Sequence, residues 1–189
     1  VASHLEIERL LHFALARDEI TLHFQPQFDR EGRIIGAESL ARWNNPTLGS
    51  VSPAQFIPIA EQTGLIVELG HHILETGFRT LREWRDEGIY LDQFSINISM
   101  RQLTHYNFVA QVEELIQRHL DEKLCQKVIF EITESIVAED INSVVSVINK
   151  LKQHGIRFSM DDFGTGYSSL SYLNRLPLDE IKIDRSFIS

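Results

Sequence analysis

Phe94-Ser95-Ile96-Asn97-Ile98-Ser99, Lys127-Val128-Ile129-Phe130-Glu131-Ile132, Ile156-Arg157-Phe158-Ser159-Met160 and Ile181-Lys182-Ile183 are the four runs inside residues 94–183 whose reading decides the fold. The first alternates strictly between apolar and polar side chains, as a strand with two distinct faces must. The others are short, rich in β-branched and aromatic residues, and bounded by polar or glycine positions. Between the first two, Phe108, Val112, Leu115 and Ile116 recur at helical spacing. Between the second and third, Ile141, Val144, Val145, Ile148 and Leu151 do the same before Gly155 stops the helix. A short helix is expected around Ser168–Leu173 ahead of the last run. Strand alternating with helix predicts parallel strands joined by right-handed crossovers. An open doubly wound sheet and a (β/α) barrel both satisfy this pattern, and periodicity alone does not separate them.

Upstream the pattern changes. Leu5–Leu15 places apolar residues at helical spacing, and the helix is expected to end near Asp18. Thr21–Gln25 alternates as a strand, with Pro26 expected to limit it, and Ile34–Trp43 reads as a second strand. Asp29-Arg30-Glu31-Gly32 between them is a turn by composition, so the two form a hairpin or lie as neighbours. Residues 44–53 carry the prolines, asparagines and serines of a long loop. Ser52 is placed to cap a helix over Ala54–Gln62, with Pro53 in its first turn and Gly64 breaking it. A longer helix follows through Ile66, Leu69, Ile73, Gly77, Leu81 and Trp84 to Gly88, with Trp84 expected in the core.

The 189 residues suit one ordinary domain, and 43% apolar content can fill its core. With 18 Lys plus Arg against 27 Asp plus Glu, the net charge is −9 and no basic arm exists to hold a nucleic-acid backbone. DNA and RNA are therefore not expected partners. The lone Cys125 rules out an intrachain disulfide framework and a four-cysteine zinc site. No run is long enough to span a membrane and no apolar leader opens the chain. The domain is expected in the cytoplasm without membrane contact of its own, whether or not a longer parent chain is anchored.

The informative positions are the polar residues that interrupt the apolar strands. Glu38, Asn97, Glu131, Asp161, Asp162 and Lys182 lie in or at the C-terminal ends of different strands, the two aspartates sharing one. In a parallel α/β fold those ends share one face, where ligands bind. Carboxylates gathered so closely would take up protons unless a cation compensated them. An all-oxygen donor set, without thiolate or imidazole, suits magnesium or manganese. A carboxylate shared by two such ions is a plan for hydrolysing phosphate esters. A single acidic residue at a strand end would read as a cap or a surface ion pair; the repetition on successive strands argues otherwise. Asn97-Ile98-Ser99 also fits a glycosylation sequon, but a strand position in a cytosolic chain argues against it. Gly164-Thr165-Gly166 imitates half a dinucleotide fingerprint, lacks its third glycine and follows two aspartates. The adjacent His71 and His72 cannot share a helical face, so no metal role is read into them.

Several segments together resemble the EAL-type family of cyclic di-GMP phosphodiesterases. They are Gln25-Pro26, Glu38-Ser39-Leu40 with Arg42-Trp43, Pro53 through Phe56-Ile57-Pro58-Ile59-Ala60-Glu61 to Gly64-Leu65-Ile66, and Asn97-Ile98-Ser99. Glu131-Ile132-Thr133-Glu134-Ser135, Asp161 through Leu170, and Lys182 through Phe187 complete the set. The resemblance runs from about residue 19 to the last residue, with residues 1–18 as an N-terminal helix and linker from an upstream module. It implies a modified (β/α)8 TIM-like barrel with one antiparallel strand. Such a barrel takes roughly 250 residues; this chain stops after the sixth strand of the present reading. The resemblance therefore predicts a barrel here lacking about its last two strands.

Carried over residue by residue, Glu38, Asn97, Glu131 and Asp161 resemble ligands of one metal. Asp161 would bridge to a second ion that Asp162 helps to hold. Lys182 resembles the residue that orients the attacking water, with Glu38 and Asp161 completing the catalytic set. Gln25, Leu40 and Arg42 resemble substrate contacts, Arg42 toward a phosphate. Glu134 resembles the glutamate that steadies the loop containing Gly164, Thr165 and Gly166, which couples metal binding to dimerisation. Two Mg²⁺ or Mn²⁺ ions, inhibition by Ca²⁺, hydrolysis of cyclic di-GMP to linear pGpG, a homodimer and an upstream GGDEF-type or sensory domain are all implied. The alternative is a degenerate module that binds cyclic di-GMP, or a protein partner, without cutting. The signature carries Ser39 where the family has alanine; strand alternation turns Ser39 away from the metal face.

Overall fold

The computed structural model describes residues 3–133, 141–163 and 176–183, with side chains for 3–132, 141–160 and 176–180. Helix α1 (His4–Leu11) is capped by Ser3, whose Oγ accepts the Glu6 N–H at 3.2 Å. It is shorter than its apolar spacing predicts. The chain beyond it tightens into turns, with Phe13 N donating to Leu10 O and Ala14 N to Leu11 O, before Asp18 takes a left-handed φ of 59°.

Strands β1 (Ile20–Phe28) and β2 (Ile34–Asn45) pair antiparallel, which makes the early pair a hairpin. Its turn is built by Asp29, whose Oδ1 accepts the N–H groups of Glu31 and Arg33 at 2.9 Å. Pro26 does not end β1. It sits within the strand opposite Ala37, and β1 has only β2 as a neighbour among the described residues. An edge strand tolerates a missing N–H because that position need not serve a second ladder.

Residues 44–53 are more ordered than the loop their composition predicts. β3 (Gly49–Val51) folds back on Trp43–Asn45, and Asn45 Oδ1 closes the turn by accepting from Thr47 N and Leu48 N. Helix α2 (Pro53–Thr63) begins as expected, with Ser52 Oγ accepting the Ala54 N–H at 3.2 Å, and ends at Gly64 with φ 85°. Helix α3 (Ile66–Asp86) leads to Gly88, whose φ of 86° turns the chain into the third run.

From here the alternation holds: β4 (Gln93–Asn97), α4 (Met100–Leu103), α5 (Phe108–His119), α6 (Glu122–Cys125), β5 (Val128–Thr133), α7 (Ile141–Lys152), β6 (Arg157–Phe163) and β7 (Glu180–Ile183). The four-residue helices α4 and α6 were not legible from periodicity, being shorter than two turns. The helix expected around Ser168–Leu173 lies outside the described residues. β2, β4, β5, β6 and β7 pair in parallel, giving the order β1-β2-β4-β5-β6-β7 with β3 attached to β2. The result is a mixed sheet, antiparallel at its first strand, and unclosed among the described residues.

Two apolar clusters hold helices to this sheet. Under α3, α5 and α7, Phe130 is fully buried with Phe158 edge-on at 5.6 Å, Phe78 stacked at 6.3 Å and Phe108 tilted at 6.3 Å. Such aromatic contacts add about 0.5–1.5 kcal/mol each beyond the area they bury. Trp84 is half-buried at this cluster's edge, edge-on to Phe24 at 4.9 Å. The second cluster joins Ile7, Leu10 and Leu11 of α1 to Trp43, Phe56 and Ile59, so the N-terminal helix shares a core with α2. Among the described residues no helix is long and apolar enough to cross a membrane.

Candidate functional site

Parallel register places the interrupting polar residues on one face. Glu38 pairs with Ser95, Asn97 with Glu131, Glu131 with Ser159, and Thr133 with Asp161. Because successive residues of a strand alternate, Glu38, Ser95, Asn97, Glu131 and Ser159 share a sheet face, and Asp161 stands at the register position opposite Thr133. Phe94, Ile96, Phe130, Phe158 and Met160 occupy the opposite face, toward the helices. β1 contributes to the polar face as well: Gln25 pairs with Glu38, His23 with Leu40 and Thr21 with Arg42.

Within that face Asn97 Nδ2 donates to Glu38 Oε2 at 3.3 Å, joining the strands that carry them. Glu131 lies beside Asn97 and is only 3% exposed. The structure thus brings together Glu38, Asn97 and Glu131, two carboxylates and an amide of the hard-oxygen type that suits Mg²⁺ or Mn²⁺. Among the described residues no group of three or more His, Cys, Asp or Glu side chains is placed to hold a metal ion. Gln25 is exposed, Leu40 and Arg42 are half-buried, and the Arg42 guanidinium donates to the neighbouring Ala41 carbonyl at 2.9 Å. Ser39 is turned to the helix side, opposite Ile96 in register, and its hydroxyl donates to Ser95 O at 3.1 Å.

For Asp161, Asp162 and Lys182 the backbone is described and is informative. Met160 pairs with Ile181 but Phe163 pairs with Ile183, so Asp161 and Asp162 together stand opposite the single residue Lys182. A regular strand sends two successive side chains to opposite faces; an extra residue in the ladder breaks that alternation, and such bulges re-aim side chains beside active sites. Glu134, Gly164, Thr165 and Gly166 lie outside the described residues.

Sequence reasoning missed what lies next to the polar face. A cavity of about 250 Å³ opens between β2, α2, α3 and the turn after β4. Leu40, Ile57, Ile66 and Ile98 give it apolar walls, while Glu61, Gln102, Asn97 and Glu131 supply polar groups. Gln102 is 5% exposed, and its amide packs against Gly70, where a Cβ would stand 2.3 Å from Gln102 Cδ. Glu61 and Ser99 stand in segments that carry the family resemblance, but a residue near the end of a capped helix carries no local sign of a ligand site. The histidines of α3 are engaged elsewhere: His72 Nε2 lies 3.3 Å from Ile20 O, and His71 Nε2 lies 3.8 Å from Glu75.

The profile of the family described as EAL domain matches residues 8–189. The bifunctional diguanylate cyclase/cyclic di-GMP phosphodiesterase MucR of Pseudomonas aeruginosa is 41% identical over 186 residues, covering 98% of this chain and 27% of the relative. The cyclic di-GMP phosphodiesterase PdeR of Escherichia coli is 38% identical over 188 residues, covering 100% of this chain and 28% of the relative. The chain thus spans about a quarter of the length of these curated relatives. A solved structure described as the PaMucR phosphodiesterase in complex with c-di-GMP superposes with a TM-score of 0.87 at 40% identity, covering 97% of this chain and 74% of that one.

Proposed function

Since the chain belongs to the EAL domain family, whose distorted TIM-barrel-like fold its mixed sheet matches, we propose that it binds cyclic di-GMP across the C-terminal ends of its parallel strands and hydrolyses it to linear pGpG. The observation that carries this reading is the shared face of Glu38, Asn97 and Glu131, set by strand register, with Asp161 at the register position beyond Glu131 on the next strand. Glu38, Asn97, Glu131 and Asp161 would hold one Mg²⁺ or Mn²⁺, and Asp161 and Asp162 would hold a second. Ions held there would supply Lewis acidity toward a water and positive charge against that which grows on the phosphate. Lys182, at the register position opposite the two aspartates, orients that water by donating a hydrogen bond to its oxygen. Arg42 grips a phosphate, Gln25 contacts the ligand from β1, and Leu40 and the adjoining cavity receive a base. Glu134 steadies the loop through Gly164, Thr165 and Gly166, and that loop links the site to a homodimer contact. Residues 19–189 belong to the EAL-type barrel that carries this site, and residues 1–18 link it to an upstream GGDEF-type or sensory module.

The test is hydrolysis of cyclic di-GMP by the full protein, followed by chromatography of pGpG. Mg²⁺ or Mn²⁺ should support turnover and Ca²⁺ should suppress it, because calcium takes a larger and looser coordination shell. Turnover untouched by a chelator would refute the metal reading. Binding without turnover under every metal would make the module a sensor.

A further inference from the structure

Ser99 occupies the N-cap position of α4 with the extended backbone of a cap (φ −70°, ψ 144°), yet its hydroxyl makes no bond to the helix it precedes. A serine there ordinarily accepts an N–H of the first turn, a bond whose loss costs about 1 kcal/mol. Here the hydroxyl leaves that local partner and donates to Glu61 Oε2 at 2.8 Å, across 38 residues of chain. A second tie runs alongside it. The Arg101 guanidinium donates to the Glu61 carbonyl, one of the last carbonyls of α2, which have no partner within the helix. The end of α2 is thereby fastened twice to the segment that leaves β4, through Ser99 in the turn and Arg101 in α4.

That turn begins at Asn97, the last residue of β4. Ile98 N donates to Glu131 O at 2.9 Å, which fixes one side of the turn to β5, and the Glu61 tie fixes the other. Between them the Asn97 amide reaches Glu38 at 3.3 Å, and Glu61 lines the same cavity as Asn97 and Glu131. We infer that Glu61 and Ser99 are positioning residues: their hydrogen bond holds the Asn97 carboxamide in the orientation that a metal ion bound at Glu38, Asn97 and Glu131 requires. The inference rests on the metal-dependent reading above. Hydrogen-bonded partners that orient a metal ligand typically account for about 10–100-fold in metal affinity or activity.

The experiment measures Mn²⁺ binding to the full protein by calorimetry and its thermal unfolding without metal. Glu61→Ala and Ser99→Ala should each weaken Mn²⁺ binding about tenfold, and the double variant should be no weaker than either alone, since both remove one bond. Glu61→Gln keeps an acceptor oxygen for Ser99 and should bind Mn²⁺ nearly as the parent does. A merely structural tie would lower the unfolding temperature of the alanine variants and leave Mn²⁺ affinity alone, and that result would overturn the inference. So would Glu61→Gln as weak as Glu61→Ala, which would assign the effect to charge. If Glu61→Ala does not fold, Ser99→Ala and Glu61→Gln decide the matter. A parent protein that binds no Mn²⁺ would instead refute the metal reading, whereas a binding parent with unaffected variants would refute only the positioning role.

Discussion

Substituting Gly70 by alanine asks whether the cavity beside Asn97 belongs to the ligand site. Gly70 lies inside α3, where alanine is intrinsically better than glycine by about 1 kcal/mol. Against that gain stands a collision. The new Cβ would lie 2.3 Å from Gln102 Cδ, 2.4 Å from Nε2 and 2.5 Å from Oε1, whereas ordinary contact begins at 3.4 Å. All three atoms belong to the amide at the end of a flexible side chain, so Gln102 can withdraw by roughly 1 Å without moving backbone, and the room it has is the cavity that it lines. Overpacking of this kind costs about 1–3 kcal/mol, leaving a net destabilisation of about 0–2 kcal/mol after the helix gain. At 2–4 °C per kcal/mol that lowers Tm by at most roughly 8 °C. Binding should suffer more, because the displaced amide occupies space assigned to a base. We expect Gly70→Ala to weaken cyclic di-GMP binding at least about tenfold, or 1.4 kcal/mol, measured by calorimetry with Ca²⁺ present to suppress cutting. Gly70→Ala/Gln102→Ala, which removes the displaced group, should recover most of that loss. Parental affinity in Gly70→Ala would take the cavity out of the ligand site, and loss of binding together with unfolding would make Gly70 structural.

Lys182→Ala should lower turnover of the full protein by about 100-fold or more while binding in Ca²⁺ falls far less, as expected of a residue that handles the water; near-normal turnover would remove Lys182 from the mechanism. Cys125 is buried, and burial, with Asp121 and Glu122 nearby, pushes its thiol up to about 11. At pH 8 only about one thiol in a thousand is then ionised, so alkylation should be slow in the folded protein and fast after unfolding; rapid labelling of native protein would refute the burial. Burial holds His119 below its ordinary 6.5, with Arg79, Arg118 and Arg82 adding to the effect and Glu75 opposing it. The unfolded chain therefore takes up this proton more readily, so His119 contributes stability above about pH 6.5 that is lost as pH falls below it. His119→Gln should flatten the decline of Tm between pH 7 and pH 5, and an unchanged decline would exclude this histidine.

Local chemistry was legible in the amino-acid order because each signal acts over a few residues. Ser52 with Pro53 announced the start of α2, Gly64, Gly88 and Gly155 announced the ends of helices, and Phe94–Asn97 and Val128–Ile132 alternate or cluster as strands whatever their neighbours do. The same order placed Glu38, Asn97, Glu131 and Asp161 near strand ends, because position within an element is local too. Register is not local. Whether Asn97 stands beside Glu131, and whether two aspartates stand opposite one lysine, depends on ladder bonds between segments some twenty to thirty-five residues apart, and sliding a strand by one residue would turn its polar residues to the other face. Tertiary packing alone sent the Ser99 hydroxyl to Glu61 instead of its own helix, folded residues 44–53 into a hairpin on β2, and laid the Gln102 amide against Gly70. In each case a short-range preference lost to a partner supplied by another element, and no period within the sequence records that partner.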